Sequence, residues 1–170
     1  MITLEQKRVT LANGIELDVV DQGPVDAPAL IFLHGFHESH RTWRHQIAHF
    51  SDRYRCIAPD QRGYRNSSKP QEVEAYTPDK LIGDIFLLAD ALAIPSFTIV
   101  GHDWGAAVAY VAAAATPERF KSLTVMAVPH AGRFAREGLR VPKQLRLSWY
   151  MGFFNIPGLS DWVVQRQDYA

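Results

Sequence analysis

The sequence predicts an α/β protein with a mostly parallel sheet and helices on both faces. Short apolar runs alternate with segments whose apolar residues recur at helical spacing, a pattern typical of strand–helix–strand units. Residues 29–33 are all apolar, as expected of a strand buried on both faces. Gly101 and Gly105 flank a polar residue where another such strand passes into a helix. These features together predict right-handed crossovers within one sheet.

Each predicted element depends on a local signal. Residues 8–11 and 15–20 alternate around Asn13-Gly14, a preferred dipeptide of hairpin turns. Pro59 ends a short strand, and Thr77-Pro78 begins a helix because proline suits the first helical turn. The predicted strands are residues 8–11, 15–20, 29–33, 55–58, 97–100 and 122–128. The predicted helices are residues 42–50, 77–92 and 106–115.

Composition limits the classes of partner. The chain has 170 residues, 47% of them hydrophobic and 21% charged, which fits one globular domain. Basic and acidic residues number 18 each, so nothing favours nucleic acid or an anionic membrane as a partner. The N-terminus lacks the apolar region of a signal peptide, and the longest apolar run, residues 106–115, is too short to span a bilayer. We therefore predict a cytoplasmic protein.

The composition of the sequence changes at Pro129. Residues 132–146 are basic and weakly helical, and residues 147–162 carry five aromatic side chains in quick succession. We expect residues 1–129 to form the sheet core and residues 130–170 to form an excursion packed over it. The strand predicted at residues 122–128 would then be an exposed edge, which invites self-association or pairing with a partner chain.

Asp103 is the sharpest candidate for chemistry. It lies between Gly101 and Gly105 at the spacing of a nucleophile elbow, after an apolar strand and before a small-residue helix. Serine usually occupies this position, but an aspartate there is ionised at pH 7 and can attack carbon to form an ester. The alternative is a plain helix N-cap, which needs no chemistry. The flanking glycines and the buried strand favour the nucleophile.

His34-Gly35-Phe36 follows the third strand, where one donor of an oxyanion hole is expected. The backbone N–H groups of Phe36 and Trp104 would then hold a developing negative charge. A glycine turn that leaves a strand would explain Gly35 alone. We expect His102 to orient the elbow by hydrogen bonding.

A metal site is the alternative function of the histidine run. His34, His37 and His40 recur every three residues. A loop does not by itself make metal ligands converge or supply their outer partners. We therefore predict no metal and no cofactor. From spacing alone, the aromatic group at residues 149–154 is best explained as core.

Three motifs in combination resemble the α/β-hydrolase fold and, within it, the epoxide hydrolases with an aspartate nucleophile. The resemblance covers nearly the whole chain, to about residue 158. It implies a partial hydrolase core over residues 1–129, truncated after about the sixth strand, and the beginning of a helical cap at residues 130–170. The motifs are His34-Gly35-Phe36, residues 58–64 (APDQRGY) with 67–70 (SSKP), and residues 101–106 (GHDWGA).

The resemblance also implies a mechanism. Asp103 would attack an apolar epoxide and form an alkyl-enzyme ester, which water activated by a histidine would hydrolyse. Tyr150 matches one of the two cap tyrosines that give the leaving oxygen a proton, a role suited to a phenol. The implied pocket and its support comprise Phe36, Trp104, Trp149, Phe153 and Phe154, with His34 and His102 behind them.

The chain departs from this family in three places. The family usually has proline where His37 stands, so we expect a less rigid oxyanion loop. It usually has glycine where Arg65 stands, so we expect that turn to change conformation or to clash. The acid and histidine of the triad follow the cap in this fold, and no histidine follows Tyr150. We therefore expect the 170 residues alone to be inactive or nearly so.

Two other functions remain open. Haloalkane dehalogenases share the pair Asp103-Trp104, and Trp149 or Trp162 would serve as a second halide donor. Phe36 disfavours this function because many of them carry an asparagine there. The other alternative is a non-catalytic ligand-binding or interaction protein derived from the fold, which the missing histidine would suit. Esterase activity is disfavoured because no serine occupies the elbow.

Overall fold

A six-stranded sheet organises the first part of the chain. The computed structural model describes residues 4–137, 140–156 and 158–166. The strands are β1 (Gln6–Thr10), β2 (Glu16–Gln22), β3 (Ala29–Leu33), β4 (Arg55–Pro59), β5 (Phe97–His102) and β6 (Phe120–Met126). Their order in the sheet is β1-β2-β4-β3-β5-β6. The first two pairings are antiparallel, and β4, β3, β5 and β6 run parallel.

Helices connect the parallel strands and continue beyond them. The α-helices are α1 (Arg44–Phe50), α2 (Pro78–Ala91), α3 (Trp104–Ala115), α4 (Ala131–Glu137), α5 (Pro142–Leu147), α6 (Trp149–Phe154) and α7 (Leu159–Arg166). Short 3-10 helices cover His40–Trp43, Val73–Tyr76 and Pro117–Arg119. In the described stretches, no helix combines the length and the apolar character that a membrane crossing requires.

The sheet is buried on both faces. Ile31 of β3 packs in a cluster that includes residues of α2 and α3, whereas its neighbour Phe32 packs with Trp43 and Ile47. Successive side chains of a strand point to opposite faces, so these two clusters lie on opposite sides of the sheet. The predicted fold class is confirmed.

The chain divides into two compact units, Met1–Val128 and Pro129–Ala170. The first contains the sheet with α1, α2 and α3, and the second contains α4 to α7. That the second unit is the beginning of a cap stays a prediction.

Most element boundaries differ from the prediction by one or two residues, and two of the differences have a local cause. The last strand lies two residues earlier than predicted, because Phe120 already pairs with Phe97 of β5. It ends before Ala127, whose φ of +67° is incompatible with a strand. The first helix begins as the 3-10 helix His40–Trp43 before it becomes α1.

A buried ion pair fastens the loop after β4 to α2. Arg62 Nε and Nη2 donate to the two carboxylate oxygens of Asp84 at 2.8 and 2.6 Å, and both side chains are buried. Asn13 Nδ2 donates to Asp84 Oδ1 at 2.9 Å, and Arg62 Nη1 donates to the Ala75 carbonyl at 2.6 Å. These bonds satisfy the pair and join the β1–β2 turn, the loop and the helix.

Removing one member of this pair should destabilise the protein strongly. In Asp84→Ala the buried Arg62 guanidinium loses its counter-charge, and we expect the free energy of unfolding to fall by about 3–5 kcal/mol. Asp90→Ala is the matched control, because Asp90 accepts from Arg119 Nη2 at 2.8 Å on the surface and should contribute about 0–1 kcal/mol. Urea unfolding measures both, and equal losses would contradict the assignment.

Candidate active site

The elbow at Asp103 has the strained backbone that places a side chain at the top of a sheet. Asp103 has φ +51° and ψ −123°, a region that costs non-glycine residues about 1–3 kcal/mol. A Cβ on Gly101 would lie 2.6 Å from the Gly105 carbonyl oxygen, and one on Gly105 would lie 2.3 Å from the Leu33 carbonyl oxygen. Only glycine fits at either position, so these glycines allow α3 to pack directly on β3 and β5.

The Asp103 side chain does not cap the helix that follows it. It makes no capping hydrogen bond to the first turn of α3. Its Oδ1 instead accepts the backbone N–H of Phe36 at 2.9 Å, across from the loop that leaves β3. The N-cap interpretation therefore does not explain the orientation of the carboxylate.

Gly35 makes this approach sterically feasible. A Cβ there would lie 2.5 Å from Asp103 Cβ and 2.8 Å from Asp103 Oδ1. Both distances are shorter than Cβ contacts normally allow, and the obstacle is the Asp103 side chain itself. The glycine is therefore required by the contact between the loop and Asp103, beyond any role in a turn.

Glu38 holds the same loop from its other end, and sequence reasoning did not select it. Glu38 Oε2 accepts the Gly35 N–H at 2.9 Å and lies 3.1 Å from His102 Nδ1. Burial raises the pKa of Glu38, but the hydrogen bonds from Gly35 and His102 outweigh it and hold that pKa below its ordinary range. Glu38 is thus the hydrogen-bond partner of His102, and the role of His102 in orienting the elbow stays a prediction.

His34 is buried and has one tautomer that satisfies both of its contacts. The Gln61 N–H donates to Nε2 at 3.1 Å, so the proton lies on Nδ1, which donates to the Gly35 carbonyl at 2.9 Å. Burial lowers the pKa of His34, which keeps the ring neutral. Tyr64 meets this ring edge-on at 4.7 Å, and burial together with the charge of Asp103 raises the pKa of Tyr64.

Phe36 and Trp104 supply exposed apolar surface at the elbow. Both side chains are exposed in the described structure. Trp104 is the first residue of α3, so its N–H is one of those that a helix leaves without an intrahelical acceptor. This is the arrangement expected of a second oxyanion donor.

The other predicted pocket residues lie on α6 in the second unit. Trp149, Tyr150 and Phe154 are 67%, 50% and 45% exposed, so the expectation from spacing that they are core is wrong for these three. Phe153 packs against both neighbours, with ring centroids 6.0 Å from Trp149 and 5.3 Å from Phe154. Their contribution to a substrate pocket stays a prediction.

Both local departures from the family adopt left-handed backbone conformations. His37 has φ +62°, which proline cannot adopt, so this loop follows a path that excludes the family's usual residue. Arg65 has φ +44°. This left-handed conformation favours glycine and costs an arginine about 1–2 kcal/mol, and a change of the turn relative to the family stays a prediction.

The histidine run does not form a metal site in the part of the chain that is described. Within residues 4–137, 140–156 and 158–166, no group of three or more His, Cys, Asp or Glu side chains is arranged to hold a metal ion. His34 and His40 instead contact Gln61 and Asp60 respectively.

Comparison with known proteins agrees with this geometry. A family model described as the alpha/beta hydrolase fold matches residues 28–166. The chain belongs to the α/β-hydrolase fold family. The match includes β3, the elbow and most of the second unit, so it covers every residue of the candidate site.

Individual relatives confirm the resemblance to epoxide hydrolases. An epoxide hydrolase of Caballeronia sordidicola is 48% identical over 122 residues, which are 71% of this chain and 36% of that protein. Epoxide hydrolase 1 of Caenorhabditis elegans is 39% identical over 140 residues, which are 82% of this chain and 35% of that protein. A solved structure from a study of novel epoxide hydrolases in metagenomes from hot environments shares 61% identity with a TM-score of 0.91.

The chain spans only part of these proteins. The match to the solved structure covers 97% of this chain but 55% of that one. The matches to the two sequence relatives cover 35% and 36% of those proteins. The chain therefore spans about one third of the two relatives and about half of the solved structure.

Replacing Glu38 should change how stability depends on pH. A depressed carboxylate pKa contributes stability above the ordinary Glu pKa of about 4.3, and this contribution is lost as the pH falls through the depressed value. We expect Glu38→Gln to be less stable than the parent at pH 7 and the difference to shrink towards pH 3. Urea unfolding midpoints between these pH values test this.

Glu72→Gln is the matched control for the same charge change, because Glu72 is exposed on the surface. Its midpoints should follow the parent at every pH. A difference between Glu38→Gln and the parent that stays constant with pH would show that the Glu38 contacts do not depend on its charge.

Proposed function

We propose that this chain carries the nucleophile and oxyanion-hole half of an epoxide hydrolase site. The observation that carries the proposal is the 2.9 Å hydrogen bond from the Phe36 N–H to Asp103 Oδ1. It fixes one carboxylate oxygen in the oxyanion position and leaves the other, Oδ2, as the attacking atom. The named epoxide hydrolases among the relatives support the same chemistry.

In the first step, Asp103 Oδ2 attacks an epoxide carbon. A carbon–oxygen bond of the ring breaks as the ester bond forms, and the released oxygen needs a proton. Tyr150 is proposed as the donor because of the family resemblance and the acidity of a phenol. The product of this step is a hydroxyalkyl ester of Asp103, with Oδ1 as its carbonyl oxygen.

In the second step, water attacks the ester carbonyl carbon and the diol leaves. Negative charge then accumulates on Oδ1, where the N–H groups of Phe36 and Trp104 stabilise it. The attacking water must lose a proton to a base. The resemblance implies a histidine that follows the cap, and His130 is the last histidine among these 170 residues.

The substrate class follows from the site walls. Phe36 and Trp104 are apolar and exposed beside the elbow, so an apolar epoxide is the proposed substrate. Trp149, Phe153 and Phe154 are proposed to complete the pocket. A cytoplasmic location, and self-association or a partner chain at the β6 edge, remain predictions. No observation favours dehalogenase activity over epoxide opening.

Alkylation of Asp103 by an epoxide tests the proposal directly. We expect the 170-residue chain incubated with styrene oxide to gain the mass of one epoxide on Asp103, located by peptide mass spectrometry. The adduct should accumulate without sustained diol formation. The base that the resemblance implies is a histidine after the cap, and no histidine follows Tyr150 among these 170 residues. Asp103→Asn should give no adduct, since an amide is a poor nucleophile.

Asp52→Asn is the matched control, because Asp52 is an exposed carboxylate away from the elbow. It should form the Asp103 adduct as the parent does. Adducts spread over surface carboxylates, or an adduct that persists in Asp103→Asn, would contradict the assignment of the nucleophile. Steady diol turnover that survives active-site titration would contradict the expected inactivity of the 170 residues.

A further inference from the structure

Arg65 occupies a backbone conformation that favours glycine. Its φ is +44°, and the resemblance predicts glycine at this position. A bulky residue persists in such a conformation only where its surroundings offset the strain. We therefore expect the contacts of the Arg65 side chain to offset the strain of its backbone.

The Arg65 side chain contacts the buried carboxylate of Asp60. Asp60 is 0% exposed, and its Oδ1 accepts the His40 backbone N–H at 2.8 Å and lies 3.0 Å from His40 Nδ1. Its Oδ2 makes no hydrogen bond to the described residues, and Arg65 Nε lies 3.6 Å from it. A buried carboxylate is unfavourable without an opposite charge. Arg65 supplies a permanent one.

Asp60 is connected to the oxyanion loop through the next residue. The Gln61 N–H donates to His34 Nε2 at 3.1 Å, and the Gln61 side chain donates to the His34 carbonyl at 2.6 Å. Ser67 Oγ donates to the Asp60 carbonyl at 2.5 Å and closes the turn. His34 directly precedes Gly35-Phe36, so a displaced Asp60-Gln61 turn would move the oxyanion loop.

We propose that Arg65 is a positioning residue. By balancing the charge of Asp60, it holds the Asp60-Gln61 turn against His34 and keeps the Phe36 N–H directed at Asp103. The last link, to the reactivity of Asp103, rests on the proposed function. The links from Arg65 to Asp60 and His34 do not.

The direction in which Arg65→Gly changes the melting temperature tests whether Arg65 balances the charge of Asp60. If Arg65 only tolerates its conformation, Arg65→Gly relieves strain and raises the melting temperature. If it balances Asp60, Arg65→Gly lowers the melting temperature, and this is the result we expect. Ala93→Gly is the matched control: Ala93 has φ +55° and an uncharged side chain, so glycine there should not lower the melting temperature.

Two further variants isolate the charge. Arg65→Lys should retain most of the stability that Arg65→Gly loses. In an Asp60→Asn background, Arg65→Gly should raise the melting temperature, because only the strain relief remains. If Asp60→Asn does not fold, Arg65→Asn decides, since asparagine tolerates positive φ without a charge. A melting temperature of Arg65→Asn at or above that of Arg65→Lys overturns the proposal.

The NMR resonances of His34 test whether Arg65 positions the loop that follows β3. Nitrogen-15 NMR of the parent should show His34 protonated on Nδ1, with Nε2 accepting a hydrogen bond. In Arg65→Gly we expect the Nε2 resonance to shift and the second tautomer to appear, and Arg65→Lys should restore the parent spectrum. An unchanged His34 spectrum in a destabilised Arg65→Gly would leave Arg65 a stabilising residue only and overturn positioning.

Adduct formation separates this inference from the proposed function. Arg65→Gly should form the Asp103 adduct at least about tenfold more slowly than the parent, because the Phe36 N–H no longer holds the Asp103 carboxylate in its attacking orientation. If the parent forms no adduct while the melting temperatures and the His34 spectrum respond as expected, the proposed function fails and the Arg65–Asp60–His34 link stands. An unaltered adduct rate in Arg65→Gly, with a normal parent, overturns the last link.

Discussion

Close backbone packing at the elbow is the constraint on which the rest of this site depends. Gly101, Gly105 and Gly35 each stand where a methyl group would overlap a neighbouring atom by a wide margin. Two of them bring α3 against the strands, and the third brings the loop after β3 against the nucleophile. Because packed interiors cannot open locally to admit an extra atom without loss of stability, these three positions fix the separation between the loop and Asp103.

Once that separation is fixed, electrostatics decides the orientation of the groups. The loop touches the elbow twice: the Phe36 N–H contacts Asp103, and Glu38 contacts His102, the residue immediately before it. Two contacts between the same pair of segments restrict rotation as well as distance. Asp103 is strained in φ, and these bonds, with the packing of the glycines, are what hold it there.

Much of this was predictable because the signals are local. The apolar runs, the Asn13-Gly14 turn and the spacing of Gly101, Asp103 and Gly105 each lie within a few residues, and the fold and the elbow at Asp103 follow from them. The roles of Glu38, Arg62 with Asp84, and Tyr64 were missed because each depends on a partner far away in sequence, which for Glu38 is His102. Asp84, for example, binds residues 22 and 71 positions away. A carboxylate in a polar loop carries no sign of which distant group it will meet.

Arg65, with its left-handed backbone conformation, shows the same limit of prediction from local sequence. The sequence shows an arginine where glycine is usual, and local sterics alone suggest a changed turn. In the proposed arrangement, Arg65 keeps its left-handed conformation because the carboxylate of Asp60, five residues earlier, is buried beside its side chain. A local penalty is thus offset by an electrostatic term that appears only after the chain has folded, and no reading of propensities would have found its sign.

The oxyanion bond also explains why a carboxylate suits this elbow. In the resting state Oδ1 carries about half a negative charge, and in the ester it carries almost none. In the tetrahedral intermediate of hydrolysis it carries a full one. Interactions accelerate a step only when they strengthen towards its transition state. The N–H groups of Phe36 and Trp104 therefore favour ester hydrolysis more than ester formation. In the proposed mechanism this geometry serves the second step, whose base the resemblance implies after the cap.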